Sequence, residues 1–160
     1  MSEPDDDRGP DPVARRDFAE RSERSTASSR RMRSAAPLGR VLLVDDDAAV
    51  RQTMRRILES DGYQVTEVGD GEEALQRLHE GLRPLAILLD VSMPKLNGYQ
   101  FRLRQLAVPE LAAIPTIIVS GEADHPEATR LRAAAYVGKP FSRNLLLAAL
   151  HAATRGHVDL

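Results

Sequence analysis

Residues 85–98 read LAILLDVSMPKLNG. The apolar run Leu85–Leu89 ends in Asp90, with Pro94 and Gly98 close behind. A run with no polar alternation is what a strand covered on both faces requires. An aspartate at its carboxyl end sits where open parallel sheets carry their sites. The same form recurs on either side. Upstream, Val41–Val44 is followed by Asp45, Asp46 and Asp47; downstream, Thr116–Val119 is followed by Ser120, and Ala135–Val137 leads to Lys139 and Pro140.

Between these runs the spacing turns helical. Val50, Met54, Ile57 and Leu58 place one apolar face on a helix over Ala48–Ser60, with Asp47 able to cap it and Gly62 able to end it. Gln64–Val68 alternates as a half-buried strand does, and Ala74, Leu75 and Leu78 mark a helix over Gly71–Glu80, closed by Gly81. Helices are also expected over Tyr99–Leu106, from Pro126 to about Ala134, and from Arg143 to about Thr154 behind Ser142. Five β-α units in alternation imply a doubly wound parallel sheet with helices on both faces. The wholly apolar strands belong in its centre, and the alternating Gln64–Val68 and the short Ala135–Val137 at its edges. Order 2-1-3-4-5 satisfies this, with the site at the switch between strands 1 and 3.

Length and composition narrow the rest. The 160 residues suit one domain with a tail. Residues 1–39 hold eight acids and eight arginines among Ser and Pro, with few large apolar residues. Such a stretch cannot bury enough surface to offset its ordering entropy. The expected organisation is a disordered tail over 1–38 and a folded domain over 39–157. Met32 offers a second place for translation to begin. A net charge of -2 argues against a general nucleic-acid binder, so no direct DNA binding is expected. The absence of cysteine removes thiolate metal sites and cysteine nucleophiles. No apolar run is long enough to span a membrane as a helix, and the tail lacks a secretory core, so a cytoplasmic protein is expected.

The strand ends carry the chemistry. Asp45, Asp46 and Asp90 converge from two adjacent strands, and like charges so placed call for a cation. Carboxylate oxygens suit Mg²⁺, which also takes phosphoryl oxygens. Ser120 and Lys139 face them across the same edge, as a hydroxyl and an ammonium that hold a phosphoryl group would. Only Lys95 and Lys139 are lysines among 22 basic residues, so a lysine after strand 5 in this arginine-rich chain points to a need for a compact point charge.

These segments resemble the receiver domain of two-component response regulators, of CheY-like, flavodoxin-like (βα)5 fold. The resemblance runs from about Arg40 to Gly156 and rests on Val41–Asp47, on LLDVSMPKLNG at 88–98, on IVSG at 118–121 and on YVGKPF at 136–141. It implies that Asp90 is the phosphoacceptor, a covalent carboxylate nucleophile. It implies Mg²⁺ held directly by Asp46 and Asp90, by Asp45 through water, and by the backbone carbonyl of Ser92. Lys139 would pair with a phosphoryl oxygen. Ser120 would hydrogen-bond it and move, and Tyr136 would turn inward in response. Lys139–Pro140 is expected to be cis. The implied partners are a sensor histidine kinase or phosphotransfer protein, and a downstream protein at the face of the fourth helix, fifth strand and last helix. The chain is then not an enzyme beyond its own phosphorylation and dephosphorylation.

One departure stands out. Ser120 to Lys139 is 19 positions, about three fewer than the resemblance leads one to expect. The loss falls on the fourth helix and its exit, where Ala133–Ala135 runs into Tyr136 with no glycine for a left-handed cap. An altered partner surface or a weakened switch is expected. The last helix is expected to end near Arg155, with no helix-turn-helix or catalytic output module expected after it. Three alternatives stay open: an unphosphorylated pseudo-receiver, a receiver cut from a larger transcriptional regulator, and an aspartate-nucleophile phosphatase of the haloacid dehalogenase type. The last is disfavoured because only Asp159 follows Lys139, where that class needs an acidic pair.

Overall fold

In the computed structural model, which describes residues 36–121 and 131–155, β1 (Arg40–Val44) and β3 (Ala86–Leu89) lie side by side at the centre of a five-stranded sheet. β2 (Gln64–Val68) flanks β1, and β4 (Thr116–Ser120) and β5 (Ala135–Gly138) extend the sheet beyond β3. Every pairing is parallel and the order is 2-1-3-4-5, as the apolar content of the strands implied.

The apolar content of Val41–Val44 and Ala86–Leu89 follows from the two layers they serve. Val41 and Leu43 point into a core with Met54 and Leu58 of α1 (Ala48–Ser60) and Leu146 and Leu150 of α5 (Arg143–Thr154). Leu42 and Val44 point the other way, onto Ala74 and Leu78 of α2 (Gly71–His79), Phe101 of α3 (Gly98–Leu106) and Leu111 of the single helical turn α4 (Pro109–Ala112). Successive residues of a strand alternate faces, so a strand between two helical layers has no polar position to spare.

Local signals set the element ends. Asp47 caps α1 by accepting from the amides of Ala49 and Val50 at 2.9 and 3.3 Å. Asp70 caps α2, Ser142 caps α5, and Asn97 forms a reciprocal capping box with Gln100 at the start of α3. Gly98 is required by contact. A Cβ there would press on the carbonyl oxygen of Asp90 and lie 2.6 Å from Cα of Val91. The α3 N-terminus therefore sits directly on the backbone of the β3 exit.

The region before β5 corrects one expectation. The helix expected from Pro126 lies outside the described residues up to 130, but it does not continue to Ala134. Leu131 is in a 3₁₀ turn, Arg132 takes φ +47°, and the Ala134 amide already donates to the Thr116 carbonyl at 2.9 Å. With no glycine available, an arginine occupies the left-handed position. α4 was not foreseen, because one turn behind Pro109 is too short to show a period. The disordered tail expected over 1–38 falls, through residue 35, outside the described residues. Leu38 donates its amide to the Gly62 carbonyl at 3.0 Å.

Candidate functional site

The parallel register delivers the strand ends to one edge. The Asp90 amide donates to the Val44 carbonyl at 2.8 Å, and the Asp45 amide to the Val68 carbonyl at 3.3 Å, so both aspartates are fixed as the ladders end. Asp45 is fully buried and Asp90 is 6% exposed, whereas Asp46 is exposed. Carboxylate oxygens of the three lie within 4.8 Å of one another. Lys139 follows β5, and its amide donates to the Ser120 carbonyl at 2.9 Å, which fixes where the lysine stem departs. Its Nζ donates to Asp45 Oδ2 at 2.8 Å and stands 3.7 Å from Asp90 Oδ2. Lys139–Pro140 is cis.

Each carboxylate has a distinct setting. Asp45 is engaged at both oxygens, by the Asp47 amide at 2.9 Å and by Lys139. Asp90 Oδ1 accepts from the Ser92 amide at 3.2 Å. Burial, and then the neighbouring Asp45 charge, push the Asp90 carboxyl up to about 6, against the pull of Lys139 and the Ser92 amide. Asp47 points away as the α1 cap and takes no part in the cluster. The donor set fits Mg²⁺. Three hard oxygen donors gather at one point, and one of them, Asp45, is already committed at both oxygens and so placed to act through water.

Ser120, 7% exposed, closes β4 beside this cluster. Tyr136 lies on β5 opposite Ile118 and is 51% exposed. Burial of the rest of the ring raises its phenol above the ordinary value, and the Arg102 guanidinium counters this.

A scan against protein families matches residues 41–151 to the response regulator receiver domain. The chain belongs to the response regulator receiver family. This receiver domain is 36% identical over 116 residues to the probable transcriptional regulator ycf27 of Guillardia theta, covering 72% of this chain and 45% of that protein. It is 38% identical over 118 residues to the response regulator MprA of Mycolicibacterium vanbaalenii, covering 72% and 50%. The chain thus spans about half the length of the curated relatives it matches. Among solved structures it superposes on the receiver domain of a sensor histidine kinase from Pseudomonas aeruginosa PAO1 with TM-score 0.67 and 30% identity, covering 72% of this chain and 97% of that one. That structure holds a magnesium ion coordinated in its active site cleft. Chemotaxis protein CheY4 of Vibrio cholerae superposes with TM-score 0.66 and 29% identity, covering 74% and 99%.

Two residues of the receiver domain escaped the sequence reading. Arg51, one turn into α1, donates from Nη1 to the Asp45 carbonyl at 2.6 Å and stands 3.8 Å from Glu67 on β2, bracing the loop that carries the acids. Arg102 is 3% exposed inside α3. An arginine on an amphipathic helix reads as surface, and nothing local marks either one as an internal donor. Lys95, the other lysine, is exposed at φ +62° in the β3–α3 loop.

Proposed function

We propose that this receiver domain accepts a phosphoryl group on Asp90 in a Mg²⁺-dependent reaction and signals through phosphorylation-dependent contact with another protein. The observation that supports this best is Lys139 reaching both Asp45 and Asp90 at the edge of a three-carboxylate cluster. An ammonium so placed meets an oxygen of any phosphoryl group bonded to Asp90.

The phosphodonor is a phosphohistidine of a sensor kinase or phosphotransfer protein, or a small acyl phosphate. An Asp90 carboxylate oxygen attacks phosphorus and a new P–O bond forms. The P–N bond to imidazole, or the P–O bond to the acyl group, breaks, and its electron pair leaves with that group. With its carboxyl at about 6, Asp90 is mostly ionised at neutral pH and ready as the nucleophile. Asp46, Asp90, the Ser92 carbonyl and, through water, Asp45 would hold Mg²⁺, which would supply positive charge against the clustered carboxylates and the phosphoryl oxygens. Lys139 exchanges carboxylate contacts for a phosphoryl oxygen, Ser120 hydrogen-bonds the group, and Tyr136 changes environment in response. Attack of water on phosphorus returns Asp90 and releases phosphate. Each transfer uses the chain's own carboxylate, so the protein is a cytoplasmic phosphoacceptor and not an enzyme acting on an outside substrate. The readout face includes β5 and α5.

Acetyl phosphate with Mg²⁺, followed by intact mass, tests the reading. One added phosphoryl group is expected, absent with EDTA and in Asp90→Asn. No modification where a control receiver reacts would assign the chain to unphosphorylated binding modules of this fold.

A further inference from the structure

α3 faces inward with its polar residues. Arg102 is 3% exposed and Gln105 fully buried, while Leu103 between them is 60% exposed. A buried cation is costly unless its donors are met, and among the described residues Arg102 forms no ion pair. Instead Nε donates to the Leu131 carbonyl at 2.8 Å, Nη2 to the Arg132 carbonyl at 2.9 Å and Nη1 to Thr116 Oγ1 at 3.1 Å. Thr116 and Gln105 are hydrogen-bonded to each other at 3.1 Å, and Gln105 Nε2 donates to the Leu111 carbonyl at 2.9 Å.

The two carbonyls explain the arginine. Arg132 at φ +47° breaks any helix, and the ladder to β4 resumes only at the Ala134 amide. The Leu131 and Arg132 carbonyls therefore lie where neither helix nor sheet supplies donors. The Arg102 guanidinium supplies them from across the core. Leu131 in turn packs its side chain on Val91, next to Asp90, and on Ile118, which pairs with Tyr136.

We infer that Arg102 is a positioning residue that holds the Leu131–Arg132 turn, and through it sets the environment of Tyr136, so that Tyr136 responds to phosphorylation of Asp90 only while this clamp is made. The inference rests on the phosphoacceptor reading for its second half only. The clamp takes over the task of the missing cap glycine at the shortened junction before β5. Its loss leaves the buried Leu131 carbonyl and the part-buried Arg132 carbonyl without their side-chain donor, and the turn without a single conformation.

The test uses the full chain labelled with 3-fluorotyrosine. It has three tyrosines, and the Tyr136 ¹⁹F resonance is assigned by its loss in Tyr136→Phe. Spectra are taken with and without acetyl phosphate and Mg²⁺, and intact mass gives the phosphorylated fraction. Arg102→Met keeps the stem and removes the donors. It is expected to reach the wild-type phosphorylated fraction and to keep the Tyr63 resonance. Its Tyr136 resonance is displaced before phosphorylation and no longer shifts after it. Thr116→Val, which spares both carbonyl contacts, is expected to respond as wild type does. A Tyr136 resonance in Arg102→Met that starts and shifts as in wild type overturns the inference. If Arg102→Met does not fold, Arg102→Lys, which keeps the charge but cannot serve both carbonyls, decides by the same criterion. If the wild type takes up no phosphoryl group, the phosphoacceptor reading fails. The Tyr136 resonance of unmodified Arg102→Lys, which keeps the cation that the phenol feels but cannot serve both carbonyls, then decides the clamp: displaced supports it, unmoved overturns it.

Discussion

Lys139 Nζ lies 2.8 Å from Asp45 Oδ2, an ion pair closed across 94 positions of sequence. It joins the end of the edge strand β5 to the end of β1. The lysine is 22% exposed and the aspartate 1%, so the pair is screened far less than a surface bridge. It also stands 3.7 Å from Asp90 and holds that carboxyl below where burial and Asp45 alone would put it.

Removing this cation is therefore expected to move Asp90 further up. In Lys139→Gln the Asp90 carboxyl should titrate above the value of about 6 that it has in the wild type. ¹³C NMR of the aspartate carboxyl carbons in the absence of Mg²⁺ measures it. Mg²⁺ should bind more tightly, because its cationic competitor is gone, while phosphoryl uptake from acetyl phosphate falls. An unchanged Asp90 titration would mean that Lys139 does not act on it.

The raised Asp90 carboxyl also makes stability depend on pH. Its folded value near 6 exceeds the unfolded value of 3.8, so between these the folded state holds the extra proton. Its contribution is fully present below 3.8 and lost as pH rises through 6. Without Mg²⁺, Asp90→Asn should be more stable than wild type by about 1–3 kcal/mol at neutral pH. The advantage should shrink by about 1 kcal/mol on going to pH 5. Urea unfolding of both proteins at the two pH values measures this. Saturating Mg²⁺ should abolish the difference, since the ion takes over the charge compensation.

Two of the three consecutive aspartates, Asp46 and Asp47, should separate cleanly by substitution. Asp46→Ala alters an exposed side chain, so it should leave the thermal midpoint near wild type and weaken Mg²⁺ binding about tenfold or more. Asp47→Ala should do the reverse, costing about 1 kcal/mol through the lost α1 cap while Mg²⁺ binding stays within about twofold. Calorimetric titration with Mg²⁺ and urea unfolding give both readouts.

Gly98→Ala tests how the site is seated. The added methyl meets the Asp90 carbonyl and the Val91 Cα, both backbone, so α3 or the β3 exit must shift. A cost of about 1–3 kcal/mol is expected, with weaker Mg²⁺ binding because Asp90 moves with its backbone. Loss of stability with intact Mg²⁺ affinity would show that α3 yields and the site does not.

The order of the strands and the identity of the acidic edge were legible in the linear chain. Val41–Val44, Leu85–Leu89 and Ile117–Val119 are apolar at every position, as a strand between two layers requires; Asp45 and Asp90 follow such runs directly, and Lys139 follows the short edge strand. Local chemistry also marked Asp47 as a cap, through two amides within its own helix turn. Arg51 and Arg102 were not legible, nor was the left-handed turn at Arg132. An arginine gives the same local signal whether it lies in water or donates to a carbonyl from a distant segment. Arg102 became an internal donor only because the fold brings Leu131 and Arg132, 29 and 30 positions away, over the inner face of α3. Periodicity reports which face of an element is apolar; which backbone groups on that face lack partners depends on long-range contacts, and those arise only when the chain is closed.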